Sequence, residues 1–313
     1  MKMMLHNLKA TRQRSRASAL MLMIWAILLM SVTVAGVVQY VHFSADEAVL
    51  DAADFKTLHL AECGIILGLH PDVRSTDPVL KQKVGTDSGF EVWLTSEGAR
   101  LPINFITDAR VTEAVVNLFE KWELSTEDAT VAAQSLADWV DADDDQRAQG
   151  AEEDYYKGLG VYDVPRNQGF ISVDEMQLVR GMDLVERKKP EWRDYFSVYS
   201  DGLIDLLHAT KDVIVATTGA DESNVENLIS QRDGADGIHG TEDDGNLSDN
   251  TAINLLGLSS AELSAIRSNI TYGGNSVRRV ESIGWVGEKQ RKLTVIARRQ
   301  DDNALTYLAR IEE

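Results

Sequence analysis

The chain has 313 residues, of which 50 are Asp or Glu and 31 are Lys or Arg, giving a formal net charge of −19, and it holds one cysteine. Such an acidic surface repels nucleic-acid phosphates and offers no electrostatic basis for DNA or RNA binding, whereas it suits divalent cations. A lone cysteine, Cys63, cannot form an intrachain disulfide, so a packed core or bound ions must hold the fold.

Lys2, Lys9, Arg12, Arg14 and Arg16 open the chain, and no Asp, Glu, Lys or Arg follows from Ala17 to Ala45. About 20 apolar residues in a helix, at ~1.5 Å each, cross the hydrocarbon core of a bilayer. The basic flank predicts a cytoplasmic N-terminus, which places the chain from Phe43 onward outside. A cleaved signal ending at Thr33-Val34-Ala35 is the alternative, but the apolar run is long for one and continues to Val41. A buried core helix is the other alternative, and the charge asymmetry argues against it.

From Ser44 to Leu69 apolar residues keep helical spacing at Val49, Ala53, Leu58, Ala61, Ile65 and Leu69, so one long helix is expected, ended by His70-Pro71. Cys63 lies in the run LAECGIILGL and reads as a packed thiol. Phe90, Val92 and Leu94 then alternate with Glu91, Trp93 and Thr95 before a turn at Ser96-Glu97-Gly98. This predicts a two-strand hairpin within 85–106, with Pro102 marking an edge.

Between Val111 and Ser268 the pattern is helical with long acidic loops. Capping boxes at Ser125…Asp128, Ser172…Glu175, Ser223…Glu226 and Ser259…Glu262 mark expected helix starts. Ala129, Ala132, Ala133, Leu136 and Trp139 form a core stripe behind the first. Residues 209–233 read as a helical hairpin whose turn is too acidic to hold phosphate. Three segments, 276–286, 291–298 and 305–311, joined by short polar turns, predict an antiparallel meander at the end.

Two acidic loops are candidate calcium sites. In the first, Asp141, Asp143, Asp145 and Glu152 stand at positions 1, 3, 5 and 12, the spacing with which alternate carboxylates and a closing Glu surround one ion. Gln146 replaces the turn glycine of an EF-hand, and a solvated acidic loop is the alternative. In the second, Asp233, Asp236, Asp243 and Asp244 are interleaved with glycines that let carboxylates and carbonyls converge on a hard cation; a Gly/Asp-rich turn without an ion is the alternative. His239 in this loop reads as an exposed, isolated imidazole, and no His/Cys cluster suggests zinc. GxSxG, HExxH, P-loop and GxGxxG motifs are absent, so an enzyme is not expected.

Taken together, RQRSRASALMLMIW, SEGARLPIN, LADWVDADDDQRAQGAEEDYY, VDEMQLVRGM and LIDLLHATKDVIVATTG resemble, in order, segments of the K-type minor pseudopilin (GspK) of bacterial type II secretion systems. The resemblance implies an α+β, pilin-like fold: a basic leader at 1–17, a transmembrane stem helix at 18–70, and a small antiparallel sheet from 84–108 and 274–313. A large helical domain, 109–273, would be inserted between the two parts of the sheet. It also implies calcium in that domain, a bacterial inner-membrane anchor with a periplasmic head, and a place at the pseudopilus tip with the I- and J-type minor pseudopilins. Prepilin peptidase would cut between Ala17 and Ser18, and the inner-membrane secretion platform would be a further partner. The fifth residue after that cut is Leu22, where most pilin-like stems carry a Glu and the K type does not. Two departures stand out: Ala17 where the peptidase usually meets Gly, and Ile204-Asp-Leu-Leu-His-Ala-Thr in place of an Asn-x-Asn-Thr-Ala repeat. A calcium-stabilised, membrane-anchored extracytoplasmic binding module, or a minor pilin of another type IV-like pilus, is the alternative.

Overall fold

The computed structural model describes residues 2–300 and 304–312, with side chains from Ala19 onward. The fold is α+β, and the chain divides into a unit of residues 1–56 and a unit of residues 57–313. The first unit is helical throughout its described length, within helix α1 (Lys2–Gly68). Its large apolar side chains between Leu20 and Phe43 stand half to three-quarters exposed. Among the described residues this is the one helix long and apolar enough to cross a membrane. Ser31 Oγ donates to the Ile27 carbonyl and Thr33 Oγ1 to that of Met30, so both hydroxyls are satisfied within the helix, as a bilayer requires. Ala17 and Ser18 lie in α1, but their side chains, like Met1 as a whole, fall outside the described residues.

In the second unit the closing turns of α1 lie on a sheet. Strands β1 (Lys81–Lys83), β2 (Ser88–Ser96) and, after the short β3 (Leu101–Pro102), a helical run lead to the C-terminal strands. That run holds α2 (Ala109–Lys121), α3 (Thr126–Val140), α4 (Glu153–Gly158) and α5 (Met182–Lys188), then the two-residue strands β4 (Phe196–Ser197) and β5 (Ile204–Asp205). It continues through α6 (Lys211–Thr218), α7 (Glu222–Arg232), α8 (Asp249–Leu255), α9 (Ser260–Ile266) and β6 (Ile270–Thr271). Strands β7 (Val277–Val286), β8 (Lys289–Arg299) and β9 (Leu305–Glu312) then form the expected antiparallel meander.

The main sheet runs β1-β2-β7-β8-β9. Period-2 alternation puts Phe90, Val92 and Leu94 of β2 on one face with Val280, Leu293 and Val295, and against them pack Leu60, Ala61, Ile65 and Leu69. Of the stripe expected along the stem, Ala61, Ile65 and Leu69 are buried, Ala53 and Leu58 are half-buried, and Val49 is exposed. Cys63 is also exposed, not packed: the helix turns Ala61, Gly64 and Ile65 to the sheet and leaves Cys63 on the opposite side. At Gly284 the helix backbone comes so near that a Cβ would fall on the Thr57 carbonyl and the Ala61 amide. The helix ends at Gly68, and two arginines satisfy carbonyls there: Arg278 donates to those of Gly68 (3.0 Å) and His70 (3.2 Å), and Arg299 to that of Leu69 (2.8 Å).

The expected hairpin within 85–106 does not form. Strand β2 pairs with β1 and β7, whereas β3 pairs in parallel with β4. Buried Glu97 turns the chain: it accepts from Ser197 Oγ and from Arg279 (3.2 Å), fixing a 3-10 turn at Glu97–Ala99 that carries Leu101 into the helical core.

That core gathers Trp139, Trp192, Phe119 and Phe196, with the predicted stripe of Ala129, Ala132, Ala133, Leu136 and Trp139 fully buried. Ser125 caps α3 and Ser259 forms a complete capping box on α9. Ser172 caps a 3-10 turn, Val173–Leu178, with Glu175 returning to the Ile171 amide. Ser223 is not a cap: α7 starts at Glu222, with Asp221 at the N-cap position, so Ser223 lies inside the first turn. The helical hairpin of α6 and α7 is present, its turn made by Gly219 at φ +67°.

Candidate metal centre

The first acidic loop leaves the C-terminus of α3. Asp138, on the last turn, is fully buried and accepts from Arg147 Nη1 at 2.6 Å. The same guanidinium nitrogen donates to Asp141 Oδ2, leaving Asp141 Oδ1 buried without a partner. Burial raises the Asp141 pKa, against the lowering pull of Arg147. Gly150 closes the loop against Asp138, whose carboxylate a Cβ there would strike; its carbonyl accepts from Gln146 (2.7 Å) and Arg180 (3.0 Å).

Glu152, at the start of α4, is 5% exposed, and neither carboxylate oxygen has a partner. Burial first, then the charges of Asp138, Asp141 and Asp144, push its pKa up to about 7. Asp141 thus acts on Glu152 electrostatically, as do two acids not predicted as ligands, Asp138 and Asp144. Asp143 and Asp145 stay exposed, with Asp143 Oδ1 accepting from the Asp145 amide at 3.0 Å.

The second loop is arranged differently. Asp233 is taken by Arg232, which donates from Nε (2.6 Å) and Nη2 (3.0 Å) and also holds the Leu206 and Ala209 carbonyls. Asp243 accepts from the Ala235 and Asp236 amides and from Thr241 Oγ1, which together lower its pKa. Asp236 accepts from the Ile238 amide (2.8 Å) and Asp244 Oδ2 from that of Gly240 (2.8 Å). His239 is not exposed: its side chain is 20% accessible, lies 3.4 Å from Asp233 and 3.3 Å from Asp244, and meets the His208 ring edge-on at 5.1 Å. Burial, His208 and Arg232 lower its pKa, opposed by the two aspartates.

Among the described residues no three His, Cys, Asp or Glu side chains converge as a metal-binding group. A calcium ion takes six to eight oxygens, so carbonyls, amides or water would have to complete any shell here. The first loop fits such an ion through unpartnered buried oxygens on Asp141 and Glu152. Most carboxylate oxygens of the second are engaged by Arg232 and backbone amides, with Asp244 Oδ1 left unpartnered. Sequence spacing pairs the Asp138 and Asp141 carboxylates, three apart at a helix end, but gives Asp138 no place in the site and misses Arg147, which joins the two.

Residues 99–189, which carry α2 to α5 and the first acidic loop, match the family "Type II secretion system (T2SS), protein K". No curated protein matches the chain. Among solved structures, the fold is similar to a chain in the crystal structure of the GspK-GspI-GspJ complex from the enterotoxigenic Escherichia coli type 2 secretion system. The TM-score is 0.59 at 16% identity, over 86% of this chain and 97% of that one. The segment 99–189 is thus matched by the protein K family, and the resemblance to K-type minor pseudopilins is borne out.

Proposed function

We propose that this protein stands at the tip of the periplasmic pseudopilus of a type II secretion system, where it initiates or caps assembly. The observation that carries this reading is the protein K match at 99–189, lying between two neighbouring strands of one sheet, β2 and β7. A bulky helical insertion and an apolar stem with Leu22 in place of a carboxylate suit a subunit that starts or ends a filament. The apolar helix would anchor the chain once in the inner membrane, N-terminus inside and head in the periplasm. Prepilin peptidase would release residues 1–17 by cutting between Ala17 and Ser18. The I- and J-type minor pseudopilins and the inner-membrane platform are the proposed partners.

Calcium is proposed in the head, held at the first loop by Asp141 and Glu152. When bound it supplies positive charge to carboxylates that Arg147 alone leaves under-neutralised. Asp138 and Arg147 orient Asp141, and Gly150 lets the loop close over them.

Mass spectrometry of the membrane-extracted protein tests the pilin role. A mature chain beginning at Ser18 is expected; an intact leader or a cut after Ala35 would point to an unrelated anchored module. Deleting the gene should abolish secretion by the machine and change pseudopilus length: shorter or absent if the subunit initiates assembly, longer if it caps it.

A further inference from the structure

We infer that Asn167, outside the acidic loop, supplies an oxygen ligand to the cation site, and that Asp143 and Asp145 do not belong to its ligand set. This rests on the calcium reading above. Four buried side-chain oxygens in this region have no partner: Asp141 Oδ1, both oxygens of Glu152, and Asn167 Oδ1. Glu152 is more than nine-tenths buried, so leaving its carboxylate unpartnered is costly without a cation.

Asn167 is tied to the same place by its other end. Its Nδ2 donates to the Asp143 carbonyl at 3.1 Å and to Asp144 Oδ1 at 2.8 Å, and Asp144 is among the charges that act on Glu152. With both donor hydrogens used on the loop, the amide is oriented and its oxygen is left over. Asn167 holds φ +50°, a left-handed conformation that asparagine tolerates better than most residues. Neutral amide oxygens are ordinary members of calcium shells. Asp143 and Asp145 are both exposed, and one Asp143 oxygen accepts from the Asp145 amide in a local turn.

The full chain in detergent, titrated with calcium by isothermal calorimetry, tests this. N167A is expected to weaken calcium binding by about tenfold or more, whereas the D143N/D145N double variant stays within about threefold of the parent. N167D keeps an oxygen and loses the amide donor, so it separates ligation from loop bracing: it is expected to bind calcium at least as well as the parent. Equal affinity in N167A and the parent would overturn the inference, as would weakening in both N167A and N167D. A tenfold loss in D143N/D145N would restore the loop-only ligand set and overturn it too. If the parent itself binds no calcium, the calcium reading fails first, a result distinct from any of these.

Discussion

Glu152 and Arg147 show how one buried acid and one base set the character of the head. Asp138 and Asp141 share the single Arg147 guanidinium, and their charges act on buried Glu152, so the metal-free site carries more negative charge than it neutralises. The Glu152 carboxyl, with a pKa near 7 in the fold and an ordinary carboxylate value once unfolded, is protonated more readily when folded. Its ionisation therefore opposes folding, and this penalty is relieved as pH falls from above 7 toward 4.5. In calcium-free buffer the protein should gain roughly 1–3 kcal/mol of stability across that window from this group. E152Q should flatten that part of the profile, checked by chemical denaturation at a series of pH values. Replacing Arg147 with Gln should lower stability by about 3 kcal/mol or more without calcium, because it strands a buried Asp138. Only part of this was legible: positions 1 and 12 of a loop announce Asp141 and Glu152, but nothing in the spacing brings Asn167 from a later loop onto Asp143 and Asp144. His239 was misjudged for a similar reason, since its cover comes from His208, thirty-odd residues earlier.

At the scale of elements, the contact of α1 with the sheet rests on small residues and on arginines. G284A would drive a methyl group into the Thr57 carbonyl, and a loss of about 1–3 kcal/mol is expected in thermal or denaturant unfolding. Removing both helix-end donors, R278A with R299A, should cost a similar amount, since hydrogen bonds from charged groups contribute about 1.5–3 kcal/mol each before relaxation. The stem and the meander were readable because their signals are local: a long uncharged run, and three strand-like segments joined by short polar turns. The hairpin failed because β3 finds its partner in β4, at Phe196 and Ser197, where no local pattern pointed. Ser223 failed because α7 starts at Glu222, which puts Ser223 inside the first turn.

For the whole molecule, the two buried clusters of residues 57–313 meet different demands. One glues helix to sheet; the other packs the helical run around Trp139 and Trp192. Calcium would act on the second alone. Chelation with EGTA should lower its unfolding temperature, reversed by added calcium, with a gain of about 2.7 kcal/mol when calcium stands a hundredfold above its dissociation constant. The D141N/E152Q variant should lose this response.

The pairing of β2 with β7 has a temporal side. Ser96 lies opposite Arg278, so the sheet cannot be completed until the residues between them have been made. A chain emerging N-terminus first can build its helical core from 101–270 while β2 still waits with an open edge. Synthesis halted before Val277 would leave a finished head on an unfinished seat, with the stem's docking face bare.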